Sequence, residues 1–297
     1  MLTEQQVFGV YVPVVTPFNT AGEVDLDSYE HYVNNIIKHN IQGLVVNGTT
    51  GESPTVTVEE FQLLVNASRE LLKQSSIPLM VGTGTNDTAS TVKRTELAAS
   101  LGADAALVVV PYYSRPSQQG IIEHFRKAAE VGIPIMAYDI PGRTGVGMTV
   151  DTARTILEMD NVVGLKDCSG SPLLVTELSK YGSKPILCGD DQHFLDMLGR
   201  GAAGGMLASA NVRPAEFIEI YEYFASGQLE QAKAAFERQT SLISLLFKES
   251  NPAPIKWLLS HTGVIGSDTL RLPLMSISTG LQEELRAYQA GALVSGL

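Results

Sequence analysis

Two cysteines, one tryptophan and five histidines are all that this 297-residue chain carries of those three residue types. So few cysteines exclude a disulfide framework, and Cys168 and Cys188 fit a reducing compartment. The histidines (His31, His39, His124, His193, His261) are scattered. None combines with Cys or carboxylates at metal-ligand spacing, so no metal site is expected and a metal hydrolase is disfavoured. No apolar run approaches the ~18 residues of a membrane span. The N-terminal Met1-Leu-Thr-Glu-Gln-Gln6 lacks the basic and apolar regions of a signal peptide. A cytoplasmic protein is expected. Positive charge is also scarce: 21 Lys and Arg against 32 Asp and Glu give a net charge of −11, which argues against nucleic acid and anionic membranes as partners. An anionic substrate would have to rely on local cations.

What is present is an alternation. Short apolar runs at Val10–Val15, Leu44–Val46, Ile77–Val81, Ala105–Val110, Ile133–Ala137, Val162–Leu165, Pro185–Cys188 and Gly205–Ala208 read as strands. Amphipathic stretches separate them. Asp25, Asp87 and a Thr57/Glu60 capping box mark three helix starts. Eight strand–helix units imply parallel strands with helical crossovers. They predict an α/β fold, a closed (β/α)8 TIM barrel over residues 1–225. No Gly-x-Gly-x-x-Gly follows the first strand, which disfavours a dinucleotide fold. From Pro214 onward only helical periodicity is found. The helix starting there serves as the barrel's eighth, and 226–297 is expected to be a small C-terminal helical domain packed on the barrel or on a neighbouring subunit.

Catalytic groups of such barrels sit at the C-terminal ends of the strands. Those ends supply Thr16, Thr49, Thr50, Tyr112, Tyr113, Tyr138, Lys166 and Gly189, with Arg143 a few residues beyond Tyr138. An amine surrounded by phenols and hydroxyls suits Schiff-base chemistry on a keto group. Lys166 is the single lysine at a predicted strand end, where poor solvation disfavours the charged form of an amine. A lysine paired with Asp167, or snorkelling to water, is the alternative. Arg143 reads equally well as a bidentate carboxylate clamp or as a loop arginine in a surface ion pair. The adjacent Tyr112 and Tyr113 cannot both point the same way, so one serves the site and the other a core or subunit contact. Asp139 and Asp167 are expected to face away from the Lys166 amine, because successive strand residues alternate sides.

Gly48-Thr-Thr-Gly-Glu-Ser53, Pro111-Tyr-Tyr-Ser-Arg-Pro-Ser117, Tyr138-Asp-Ile-Pro-Gly-Arg-Thr-Gly145, Gly164-Leu-Lys-Asp-Cys-Ser-Gly170, Asn251-Pro-Ala-Pro-Ile-Lys-Trp257 and Asp268-Thr-Leu-Arg-Leu-Pro273 together resemble the dihydrodipicolinate synthase family of the class I pyruvate aldolase and N-acetylneuraminate lyase superfamily. The resemblance runs over nearly the whole chain. It implies that Lys166 forms a Schiff base with pyruvate and that no cofactor is needed. It implies Tyr138 as proton donor and acceptor, with Thr49 linking it to a Tyr113 supplied by the neighbouring subunit. Thr50, the backbone near Met206 and Gly189 would line the pyruvate side, and Arg143 would hold the carboxylate of aspartate 4-semialdehyde. The implied product is 4-hydroxy-tetrahydrodipicolinate, toward diaminopimelate and lysine, and the implied assembly is a homotetramer built as a dimer of dimers. Thr49 and Arg143 favour this over a sialic acid lyase. Other readings are another pyruvate-dependent aldolase, acting on 4-hydroxy-2-oxoglutarate or a 2-keto-3-deoxy sugar acid, and a catalytically silent barrel. Lysine feedback is expected to be weak or absent, because Ser90 stands where lysine-sensitive relatives place a glutamate.

Overall fold

The computed structural model describes residues 1–295. In chain order the elements are β1 (Gly9–Pro13), α1 (Leu26–Ile37), β2 (Gly43–Val46), α2 (Val58–Leu71), β3 (Leu79–Gly82), α3 (Thr88–Ser100), β4 (Ala105–Val109), α4 (Gln118–Ala129), β5 (Ile135–Asp139), α5 (Pro141–Thr144), α6 (Val150–Leu157), β6 (Val162–Asp167), α7 (Leu173–Ser179), β7 (Ile186–Cys188), α8 (Phe194–Gly199), β8 (Gly204–Met206) and α9 (Pro214–Ala225). The eight strands are parallel and close into a barrel, β1 pairing with both β2 and β8. Three more helices follow: α10 (Leu229–Leu246), α11 (Ala253–His261) and α12 (Thr279–Ser295).

The helix starts have local causes. Asp25 accepts from the Ser28 amide at 3.0 Å and Asp87 from the Ser90 amide at 2.7 Å. Thr57 and Glu60 exchange bonds in the expected capping box. Such caps are each worth about 1 kcal/mol.

Three strands begin later than their apolar runs suggest, and one cause covers all three. Pro78, Pro134 and Pro185 have no N–H to give the ladder. The strands therefore start at Leu79, Ile135 and Ile186, while the proline carbonyls still accept from Leu44, Ala106 and Leu165 at 3.1, 2.8 and 3.0 Å. β5 consequently runs through Tyr138 to Asp139. The eighth strand is displaced the other way: it is Gly204–Met206, and Ala208–Asn211 is a 3-10 turn.

Alternation divides the strand side chains into two sets. Tyr11, Val45, Met80, Leu107, Met136, Leu187 and Met206 fill the barrel interior. Val12, Leu44, Val46, Val81, Val108, Ile135, Leu165 and Ile186 face the helices. Leu242, Ile243, Leu246, Trp257, Leu258, Leu281 and Leu285 join that outer core. The helix α9 ends at Ala225, and α10 to α12 share one apolar core with the barrel helices. Among the described residues no helix is long and apolar enough to cross a membrane.

Candidate active site

Tyr138 and Lys166 are direct register partners on β5 and β6. Both point into the barrel mouth, and the Lys166 Nζ lies 4.2 Å from the centroid of the Tyr138 ring. Lys166 is only 6% exposed, and no carboxylate lies within ion-pair distance of its amine among the described residues. Asp167 instead accepts from the Ser169 amide at 2.9 Å, and Asp139 from the Met148 amide at 3.2 Å. Both carboxyls alternate with the site residues and lie behind them, as strand geometry requires. The snorkelling and Asp167-paired readings of Lys166 are thereby excluded.

Gly189, at the end of β7, makes room for the amine. A Cβ there would sit 2.5 Å from the Lys166 Cε and 2.2 Å from the Cys168 Sγ. A side chain there would have to displace the lysine stem and the Cys168 thiol. The Asp191 carboxylate takes the Ala208 and Ser209 amides at 3.2 and 2.6 Å, which fixes the wall after Met206. Burial pushes its pKa up to about 6 against those bonds and the nearby Lys166 charge. Sequence reading left Asp191 without a role. Its signal was an acid three residues beyond a strand end in a barrel.

Lys166, Tyr138, Thr49, Thr50, Arg143, Gly189 and Met206 all line one cavity of about 810 Å³ at the C-terminal end of the barrel. Burial holds the Tyr138 phenol well above its ordinary pKa, with Cys168 adding to the rise and Thr49 and Arg143 opposing it. A neutral phenol beside an amine can donate a proton and take one back. Thr49 is its hydrogen-bonding neighbour. Cys168 lines the cavity 3.9 Å from the phenol oxygen, and burial pushes its thiol up to about 12, so it is not a thiolate nucleophile at neutral pH.

Arg143 sits on a one-turn helix that sequence reading took for a loop. Pro141 at its first position and Gly145 after it, at φ 75°, are the signature that could have found it. Among the described residues the guanidinium makes no ion pair, and it lines the cavity, which removes the surface-pair reading.

Tyr113 is not brought to the cavity of its own chain. It is 89% exposed and has φ 70°. Tyr112 lines a second, smaller cavity. Thr16 also leaves the candidate set, because its hydroxyl donates to the Gly51 carbonyl at 2.8 Å.

Two residues on the C-terminal helical segment were missed. Asn251 donates from Nδ2 to the Thr50 Oγ1 at 3.0 Å. Lys256, which reads as an ordinary helix-start lysine, is fully buried. It donates to the Glu52 Oε1 at 2.7 Å and the Thr16 carbonyl at 2.9 Å. Both brace the Asn47–Glu52 loop, in which Asn47 and Glu52 adopt left-handed conformations at φ 57° and 56°. Among the described residues no group of three or more His, Cys, Asp or Glu could hold a metal.

A barrel whose mouth holds a buried amine against a phenol, with a guanidinium nearby, defines the lysine-dependent aldolase class. The sequence profile of the dihydrodipicolinate synthetase family matches residues 6–290. The chain is 38% identical over 286 residues to 4-hydroxy-tetrahydrodipicolinate synthase 2 of Clostridium acetobutylicum, covering 95% of this chain and 99% of that one. The structure of dihydrodipicolinate synthase from Thermotoga maritima superposes with a TM-score of 0.92 at 35% identity, covering 96% of this chain and 98% of that one. That of the Cyanidioschyzon merolae enzyme with lysine bound gives 0.93 at 33% identity, covering 97% and 98%. The chain belongs to the dihydrodipicolinate synthetase family.

Proposed function

We propose that Lys166 condenses pyruvate with L-aspartate 4-semialdehyde, giving 4-hydroxy-tetrahydrodipicolinate, the synthase reaction of the family. The observation that carries the site assignment is the buried Lys166 amine, packed on the Tyr138 ring with no carboxylate at ion-pair distance among the described residues. The amine adds to the keto carbon of pyruvate. Tyr138 supplies the proton that lets water leave, and an imine remains. The imine draws electrons from the adjacent methyl, which loses a proton to become an enamine. The enamine carbon attacks the aldehyde. The amino group of the second substrate then attacks the imine carbon, releasing Lys166 and closing the ring. The lysine itself is the electron sink, so the scheme requires no cofactor.

Thr49 relays protons to and from Tyr138, with Tyr113 of a second copy completing the relay. An exposed tyrosine in a left-handed backbone conformation supports that role. The active assembly is therefore at least a dimer, and we assign a dimer of dimers. Thr50 and the backbone near Met206 hold the pyruvate carboxylate, Gly189 clears the lysine stem, and Arg143 clamps the carboxylate of the semialdehyde. The reaction is placed in the cytoplasm, which suits two free thiols. With Ser90 in place of an acid, free lysine is expected to inhibit weakly or not at all.

A coupled assay tests the choice of aldehyde. The semialdehyde should exceed 4-hydroxy-2-oxoglutarate and 2-keto-3-deoxy sugar acid chemistry in kcat/KM by at least about 100-fold, the scale on which a site shaped for one substrate's polar groups discriminates. Equal or better turnover of those alternatives would move the assignment to another aldolase of the superfamily.

A further inference from the structure

Five charged side chains line the cavity that holds Lys166: Lys166, Arg143 and Lys248 against Asp190 and Glu284. The three cations differ in what holds them. Among the described residues, Lys166 and Arg143 have no carboxylate at ion-pair distance. Lys248 has one. Its Nζ donates to the two Glu284 oxygens at 2.6 and 2.8 Å. Both members of this pair are about half exposed, with side chains 53% and 46% accessible, so it stands where the cavity meets solvent. Local structure explains the placement. Lys248 follows the last turn of α10, and its amide still donates to the Leu245 carbonyl at 3.3 Å. The next residue, Glu249, accepts from the Ser278 amide at 3.2 and 3.1 Å, just before α12 begins. That contact brings the first turns of α12, with Glu284, against the end of α10.

An exposed lysine–carboxylate pair adds little to stability, so another carboxylate can replace Glu284 at small cost. The chain as a whole carries a net charge of −11 and repels a small anion until a local cation is reached. We propose that Lys248 captures the entering keto-acid anion. The substrate carboxylate takes the place of Glu284 on the ammonium, and the returning Glu284 releases it inward to Lys166. Lys248 therefore sets the rate of arrival and takes no part in bond making. The proposal rests on the reading that Lys166 reacts with a keto acid.

The test measures the second-order rate of the borohydride-trapped pyruvate adduct in the full-length protein. It compares about 0.01 M with about 1 M salt, where charges act over about 30 Å and about 3 Å. Lys248→Gln should slow the low-salt rate about fivefold, the scale of one unit charge at contact distance in water. Glu284→Gln frees the ammonium and should speed it by about threefold. Both differences should shrink to within about twofold at high salt. Lys248→Arg keeps the charge and should keep the parent rate. In steady-state assays the Lys248→Gln loss should fall on kcat/KM for pyruvate and not on kcat. The opposite signs separate capture from bracing, because a pair that merely holds α12 in place is broken equally by either change. Slowing by both glutamine variants, or a Lys248→Gln rate equal to the parent's at low salt, would overturn the proposal alone. A parent that forms no adduct with pyruvate would overturn it together with the reading of Lys166.

Discussion

Lys256→Met is the most revealing single change outside the reacting groups. Methionine keeps most of the stem and removes the charge. The ammonium is fully buried and holds the Glu52 carboxylate at 2.7 Å and the Thr16 carbonyl at 2.9 Å. Its loss strands the Glu52 charge in the interior, a penalty of about 3–5 kcal/mol. At roughly 2–4 °C per kcal/mol for a chain of this size, the melting midpoint should fall by roughly 6–20 °C. The single tryptophan, Trp257, is the next residue along α11 and 6% exposed, so its fluorescence reports the local transition. Lys256→Met combined with Glu52→Gln removes the stranded charge and should recover a large part of the loss, because the two sites are coupled. Turnover should also drop by about tenfold at temperatures where the variant is folded, since Glu52 closes the loop that carries Thr49 and Thr50. A single variant melting within about 2 °C of the parent, or a double variant as unstable as the sum of the singles, would refute the reasoning.

Other perturbations separate chemistry from fold. Gly189→Ala puts a methyl against the Lys166 Cε and should slow imine formation by about 100-fold, read by rapid-quench trapping; an unchanged rate would mean the lysine stem has another path. Asp139 is held up to about 7 by burial, above the ordinary carboxylate value, despite the Met148 amide. The folded state therefore binds more protons than the unfolded one between the two values, and stability should fall as pH rises from about 4 to about 7. Asp139→Asn keeps an acceptor for Met148 and should flatten that part of the melting-point profile; an unaltered profile would contradict the assignment. Tyr113→Phe should lower kcat by about 100-fold or more with the melting point little changed, because only a hydroxyl is removed and the ring is kept; full activity would remove it from the relay.

Much of this architecture is legible in the sequence, because a parallel barrel repeats one simple pattern. Buried strands such as Leu44–Val46 are continuous apolar runs, and caps such as Thr57 with Glu60 act through residues three apart. The site is legible for a related reason: strand ends point into the mouth, and Lys166 and Tyr138 fall at neighbouring ends. What escapes is long-range pairing. Nothing near Lys256 in the chain indicates that its partner is Glu52, some 200 positions away, or that Asn251 reaches Thr50. The hydroxyl of Thr16 stands at a strand end like that of Thr49, yet Gly51 takes it. The one-turn helix that carries Arg143 is not foreseen, because four residues are too few to show a period, although Pro141 and Gly145 bracket it.

The decisive measurement is borohydride reduction of the protein with pyruvate, followed by mass spectrometry of the peptide spanning Asn161 to Gly170. A pyruvate-derived adduct on Lys166, absent without pyruvate and absent in Lys166→Ala, is the result expected. An unmodified Lys166, or an adduct on another lysine, would contradict the imine on which every step above depends.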